Sequence, residues 1–536
     1  MYPLKARQPG ITLKFVLKFL LLCLLYLSVS CQTTLEESTA VFSRTPEPVQ
    51  ELETIPVYTA TRPPPLTVTP AATLTPVPTA TPNPIAAVYA PSNWSTKLKR
   101  SIDSLNDSSS EFFWQITLDE ASADLIISPV PGEYPAGSRP LVLTVPITSD
   151  WDQLSLDEAK AILSTGHSVI EVHDIAELAP NIKFIKIDGI GPFDPNYPLL
   201  QNWSVFHGDG AEKAAEELST LLLQNPLPDP LVHLAAVGDI MLDRSLGAAI
   251  RNGSIDYPFE YVKDELLSAD LTIGNLESAI GDTGEPANKS YTFQAPPEAG
   301  ASLANAGFDL LSLANNHALD FGQDALLQGI SLLQDAGIHA VGAGADAKEA
   351  RSPIIIESKG VRFAFLSYVN VPVEGSGFDT KSWAAGPSSP GLNWADQTNI
   401  VDDVQNASET SDIVIVLLHS GYEYVEQPSP AQSAAAKQAI DAGADLVIGH
   451  HAHVLQGIEF YNGGVIVYGL GNFAFEIDGD PSTGILNVWL DKDGVRQLNL
   501  VPAVIQFGGQ PRLAAPGEAA LIRKKVNILS DLLNRR

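Results

Sequence analysis

Three histidines stand within four residues at Gly449-His450-His451-Ala452-His453, where the apolar run 444–448 breaks off. The whole chain has ten His, so this motif concentrates nitrogen ligands at one place. Imidazole is the commonest side-chain ligand for metals, and the end of a buried strand fixes a ligand's direction better than a free loop does. A polar turn would accommodate the same residues, and His-x-His spacing alone does not decide between the two. The balance shifts with the other polar signatures of the chain, which end their own apolar runs in the same way.

Those runs describe the scaffold. Run 231–237 leads into Gly238-Asp239-Ile240-Met241, and 269–273 into Gly274-Asn275-Leu276-Glu277. Run 309–314 leads into Asn315-Asn316-His317, 412–418 into His419 with Glu423 just beyond, and 464–470 into Gly471-Asn472-Phe473. Segments 321–337 and 429–443 between them have helical periodicity, and each closes on a glycine suited to a helix C-terminus. Repeated strand, polar loop and helix predict an α/β sheet whose polar loops gather at the strand ends, where ligands bind.

The ordered set Gly238-Asp239-Ile240-Met241, Gly274-Asn275-Leu276-Glu277, 315–322, His419, Glu423 and 449–453 resembles the CapA family of capsule and poly-gamma-glutamate synthesis proteins, which is similar to calcineurin-like metallophosphoesterases. The resemblance spans about 231–522. It implies a four-layer αββα sandwich with a metal centre at one edge of the paired sheets. Carboxylate, amide oxygen and imidazole are the donors such a centre needs for divalent ions. The resemblance assigns Asp239, Glu277, Asn316, His419, His451 and His453 to metal, with His450 facing away because neighbouring strand residues alternate. It assigns His317 and Asp320 to catalysis and Asn315, Glu423 and Asn472 to substrate. The identity of the divalent ion is left open among Mn, Fe, Zn and Mg.

Departures from the phosphoesterase pattern are informative. Met241 stands where those enzymes place a histidine, and a thioether is a poor ligand for hard divalent ions. Glu277 is the lone carboxylate of its motif, and Ala318 replaces the acidic residue after His317, leaving Asp320 to orient that ring. Ser420 stands where a Trp commonly follows the histidine in the family. Two activities fit. In one, metal-activated water attacks a phosphoester or amide while His317 protonates the leaving group. In the other, the site binds without turnover and guides an acidic surface polymer, a bound cation bridging it to an acidic protein.

Composition sets the surroundings. The formal net charge is -31, from 32 basic and 63 acidic side chains, which argues against nucleic acid as a partner. Lys5, Arg7, Lys14 and Lys18 flank the apolar run 15–29, and no acidic residue precedes Glu36, as in an export signal. The run closes on Leu27-Ser28-Val29-Ser30-Cys31, which resembles a bacterial lipobox with Ser28 in place of the usual Leu. Segment 1–31 is thus expected to anchor the chain outside the cytoplasmic membrane, lipidated at Cys31 or uncleaved. The only other cysteine is Cys23, so the exported part has no internal disulfide. Residues 32–91, rich in Thr and Pro, are expected to form a disordered stalk with a reach on the order of 100 Å or more.

Segment 92–228 alternates strand-like and helical pieces and is expected to be a small, degenerate α/β accessory domain. Its piece 141–163 faintly resembles extracytoplasmic solute-binding proteins, which leaves a solute-binding lipoprotein as a third functional class. Residues 523–536 are expected to be a helical tail.

Overall fold

The computed structural model describes residues 83–107, 110–147, 149, 151–224, 231–477 and 479–535. The expected anchor 1–31, including Cys31, lies outside the described residues, as does the stalk up to residue 82. The stalk's expected end at 91 is late. Ile85–Tyr89 is already a strand, because Ala86 and Val88 alternate into a core while their neighbours face out. Among the described residues, no helix is long and apolar enough to cross a membrane.

The first part carries a sheet in the order Phe113–Ile116, Ile85–Tyr89, Leu125–Ser128, Leu200–His207, Tyr134–Pro146, Glu171–Asp174, with Ile182–Phe184 also on Tyr134–Pro146. Helix Leu156–Thr165 begins where the sequence places Ser155 three residues before Glu158, and both halves of that capping box form. Helix Glu212–Gln224 turns Ala214, Ala215, Leu218 and Leu222 inward, a 3–4 residue spacing that makes one apolar face.

From residue 231 onward, two further sheets, of seven and six strands, share one core. One runs His339–Val341, Leu310–Ser312, Leu271–Leu276, Val232–Ile240, Ser482–Asp491, Gly494–Ile505, Pro511–Leu513. The other runs Ile354–Ser358, Val361–Asn370, Ile413–Ser420, Leu446–His450, Gly464–Val467, Ile458–Tyr461. Leu234, Ile273, Leu310, Phe363, Ile415 and Ile448, drawn from both sheets, belong to one buried cluster. The strands that the six apolar runs predicted are parallel within each sheet. They are buried on both faces, which explains why their sequences are continuous apolar runs.

Helix Pro516–Asn534 crosses the expected boundary at 522. Ile522 and Val526 lie in that same core cluster, so the helix belongs to this body and is no separate tail. The two parts of the chain also pack together: Trp489 lies 5.6 Å from Phe184 and 5.8 Å from Phe193 between ring centroids.

Candidate metal centre

The parallel strands deliver their carboxyl ends to one place. Asp239 is paired in register with Asn275, and His419 with His450, so four motif residues meet across two sheets. Two glycines permit the approach. A Cβ at Gly238 would collide with the carbonyl oxygen of Gly471, and one at Gly449 with that of Tyr468.

Three sets of side chains each place their donor atoms within 4.8 Å of one another: Glu277, His419 and His451; Asp239, Glu277 and His453; Glu423, His451 and His453. Glu277 Oε1 lies 3.6 Å from His419 Nε2 and 3.7 Å from His453 Nε2. Asp239 Oδ2 lies 3.2 Å from His453 Nδ1, which also bonds Asn472 Oδ1 at 2.9 Å. Asp239 Oδ2 accepts in addition from the His451 backbone N–H at 3.2 Å. His451 and His453 both take positive φ, at 84° and 57°, a conformation that costs energy for residues with a Cβ.

The electrostatics are those of a carboxylate-rich pocket. Burial, reinforced by Asp239, drives Glu277 well above the ordinary carboxylate range. Burial and the neighbouring His453 push His451 down to about 3. Burial also opposes charge on His453, but Glu277 and Asp239 outweigh it and lift that ring to about 10. A positive charge is therefore favoured between Asp239 and Glu277, even when only a proton supplies it.

Whether these residues suit a divalent ion can be judged from their unspent bonding capacity. Both oxygens of Glu277 are buried without a hydrogen-bond partner, and so is Nδ1 of His451. Burying a carboxylate that no donor satisfies is costly, and a cation removes the cost. Carboxylate and imidazole together suit Mn, Fe or Zn. The donor set fits.

Other expected residues take different positions. Asn316 Oδ1 accepts from His419 Nε2 at 2.7 Å, and its amide nitrogen donates to Glu374 at 3.2 Å, which puts its amide oxygen against the same ring nitrogen that Glu277 faces. Asn315, expected to touch substrate, is fully buried. Its Nδ2 donates to Asn275 Oδ1 and the Leu276 carbonyl, and its Oδ1 accepts from the His317 N–H. Its amide is spent on tying the loops together. His450 also points away from the three sets, with Nε2 3.3 Å from the Val237 carbonyl oxygen. Met241 is buried beside Phe293 and Phe475, so an apolar wall occupies the place of the phosphoesterase histidine.

His317 Nδ1 lies 2.7 Å from Asp320 Oδ2, as its expected orienting role requires. Burial lowers the His317 pKa against the pull of Asp320. A neutral ring suits a proton acceptor better than the donor expected above.

Sequence reasoning missed three residues. Asn275 donates to Asp239 Oδ1 at 2.8 Å and lies 3.2 Å from His419 Nδ1. It was visible inside its motif as a second polar group on a buried strand. Lys289 and Glu374 carry no such signal, since both come from irregular polar loops. Lys289 Nζ is 2.5 Å from Glu374 Oε1 and 2.6 Å from the Asn316 carbonyl oxygen.

Comparison with known proteins gives the family. The family model described as bacterial capsule synthesis protein PGA_cap matches residues 233–477. The capsule biosynthesis protein CapA of Bacillus anthracis is 32% identical over 285 residues, covering 51% of this chain and 68% of that protein. The chain belongs to the CapA family. The PGA biosynthesis protein CapA of Bacillus subtilis (strain 168), another relative, is 32% identical over 279 residues, with 51% of this chain and 72% of that protein covered. A solved structure of a phosphatase from Mycoplasma pneumoniae superposes with a TM-score of 0.33 at 13% identity, covering 51% of this chain and 94% of that one. The CapA family match takes in Asp239, Glu277, His317, His419, His451, His453 and Asn472.

Proposed function

We propose that this CapA-family chain acts in the biosynthesis or export of an acidic surface polymer, a capsule or poly-gamma-glutamate, by holding divalent metal at Asp239, Glu277, His419, His451 and His453. In this reading, the two sheets and their flanking helices form the αββα sandwich, 92–228 is an accessory unit, and the N-terminal segment tethers the chain outside the membrane. The observation that carries the proposal is Glu277. Among the described residues neither buried oxygen has a hydrogen-bond donor, and Oε1 faces His419 and His453, a state that a cation relieves.

Hydrolysis of a phosphoester or amide is a second reading, favoured by the His317–Asp320 pair beside the cluster. The chemistry a bound ion supplies here is Lewis-acid polarisation of a phosphoryl or carbonyl oxygen and acidification of water. The chain's own part is to fix the imidazoles, exclude solvent with the Met241, Phe293 and Phe475 wall, and accept a proton at the free His317 nitrogen.

Metal analysis of the full purified chain tests the proposal. Stoichiometric divalent metal is expected, with thermal stabilisation by added Mn2+ that Asp239→Ala and His451→Ala abolish. Absence of metal, or stabilisation that survives both substitutions, would sink it. Turnover of phosphodiester or gamma-glutamyl substrates by the metal-loaded chain separates hydrolysis from binding.

A further inference from the structure

Among the described residues, seven that are not glycine have positive φ. Four of these lie at or beside the candidate centre: Arg244 at 49°, Tyr424 at 61°, His451 at 84° and His453 at 57°. Each is strained, and such strain persists where the surroundings enforce it. His451 and His453 are explained by the metal cluster. Arg244 lies outside that cluster, and the next residue, Ser245, donates its N–H to Glu476 Oε2 at 3.2 Å.

Arg244 opens the helix Arg244–Arg251 and is exposed. Its guanidinium carbon lies 4.9 Å from the centroid of Phe293. Phe293 packs on His317 at 4.5 Å and on Phe475 at 6.1 Å. Phe475 packs on His453 at 5.5 Å, and His453 lies 5.9 Å from Tyr424. An unbroken aromatic wall thus runs from Arg244 to the histidines, with Tyr424 on the far side. Among the described residues, no ion pair or hydrogen bond is recorded for the Arg244 side chain. Arg251 on the same helix does meet a carboxylate, Asp243, at 3.5 Å.

Cation–π packing alone would account for an arginine on Phe293. A planar guanidinium with its donors unspent binds carboxylate or phosphate through paired hydrogen bonds. In a chain of net charge -31, whose cluster is lined by Asp239, Glu277 and Glu423, an anionic substrate needs such a cation to offset repulsion.

We infer that Arg244 anchors a carboxylate or phosphate group of an anionic substrate beside the histidine cluster. This rests on the reading of the cluster as a metal centre that meets an acidic polymer.

Arg244→Gly tests it, because glycine adopts the local backbone without strain while the guanidinium is lost. The full chain, loaded with Mn2+, is titrated with poly-gamma-glutamate and separately with inorganic polyphosphate. Metal uptake and thermal stability are measured on the same samples. The expected result is at least a tenfold loss of polymer affinity, unchanged metal uptake and unchanged or raised stability, with Arg244→Lys losing less.

A loss confined to poly-gamma-glutamate assigns a carboxylate, a loss confined to polyphosphate assigns a phosphate, and a loss of both assigns the shared anion chemistry. Unchanged affinity for both polymers overturns the inference, as does failure of the unsubstituted chain to bind either. An equal loss in Arg244→Lys also overturns it. Polymer binding that needs Arg244 in a chain that takes up no metal removes the metal reading and leaves the anion anchor standing.

Discussion

Lys289 Nζ lies 2.9 Å from Asp320 Oδ1, and both side chains are fully buried beside His317. Asp320 Oδ2 meanwhile holds His317 Nδ1 and accepts from the Phe293 N–H at 2.8 Å. Lys289 thus neutralises the carboxylate that orients His317 and fastens Glu374 to the same point. Removing one partner of a buried ion pair costs about 3–5 kcal/mol, because the other charge is left uncompensated. Lys289→Met is expected to lower stability by that amount in chemical denaturation, and adding Asp320→Asn to recover part of it. A Lys289→Met chain as stable as the parent would show that the charge is not needed.

Glu277 gives the opposite expectation. Its buried oxygens find no donor among the described residues, so in chelator the carboxylate is a burden. Glu277→Gln is expected to unfold at the same or a higher temperature than the parent without metal. With metal at about 100 times the parent Kd, the parent gains about 2.7 kcal/mol from binding and the variant gains much less. Paired thermal melts with chelator and with Mn2+ measure this. Equal gains in the two proteins would remove Glu277 from the ligand set.

Gly449 is fixed by its neighbour and not by its φ. A methyl group there would press on the Tyr468 carbonyl oxygen and push the strand end that carries His450 and His451. Gly449→Ala is expected to cost about 1–3 kcal/mol and to weaken metal uptake. Gly517, in the first turn of Pro516–Asn534, meets nothing within 4 Å. Gly517→Ala is expected to gain about 0.4–1 kcal/mol without touching the metal. If the two substitutions behave alike in denaturation, the close-approach argument fails.

These contrasts show what the amino-acid order discloses. Asp239, Glu277, His419 and His451 each follow an apolar run, and a run buried on both faces must be a central strand, so their convergence could be read from the text. Asn315 and Asn316 were visible too, but their bonding was not. An amide offers a donor and an acceptor, and only the folded neighbours decide whether these go to metal, substrate or another side chain. Lys289, Glu374 and Arg244 sit in loops or at a helix start without periodicity. Their significance rests on contacts between segments distant in sequence. The strand at Ile85–Tyr89 was hidden by the proline-rich composition before it, and the core residue Val526 by a boundary drawn through one helix.

Asp445 supplies a pH test away from the centre. It stands just before Leu446–His450, where Oδ2 accepts from the Val414 N–H at 2.8 Å. Burial outweighs that bond and raises the carboxyl from 3.8 to about 6. The folded chain therefore holds this proton more tightly than the unfolded chain does. The stability it contributes is fully present below pH 3.8 and is lost as pH rises through about 6. Asparagine keeps an acceptor for Val414 and has no charge to bury. Asp445→Asn is expected to match the parent near the acid end and to exceed it above pH 6 by on the order of 1–3 kcal/mol. Urea denaturation of the two proteins from about pH 4 to about pH 7.5 follows the difference. Parallel curves across that range would mean that Asp445 titrates alike in the folded and unfolded chains and that its burial carries no proton linkage.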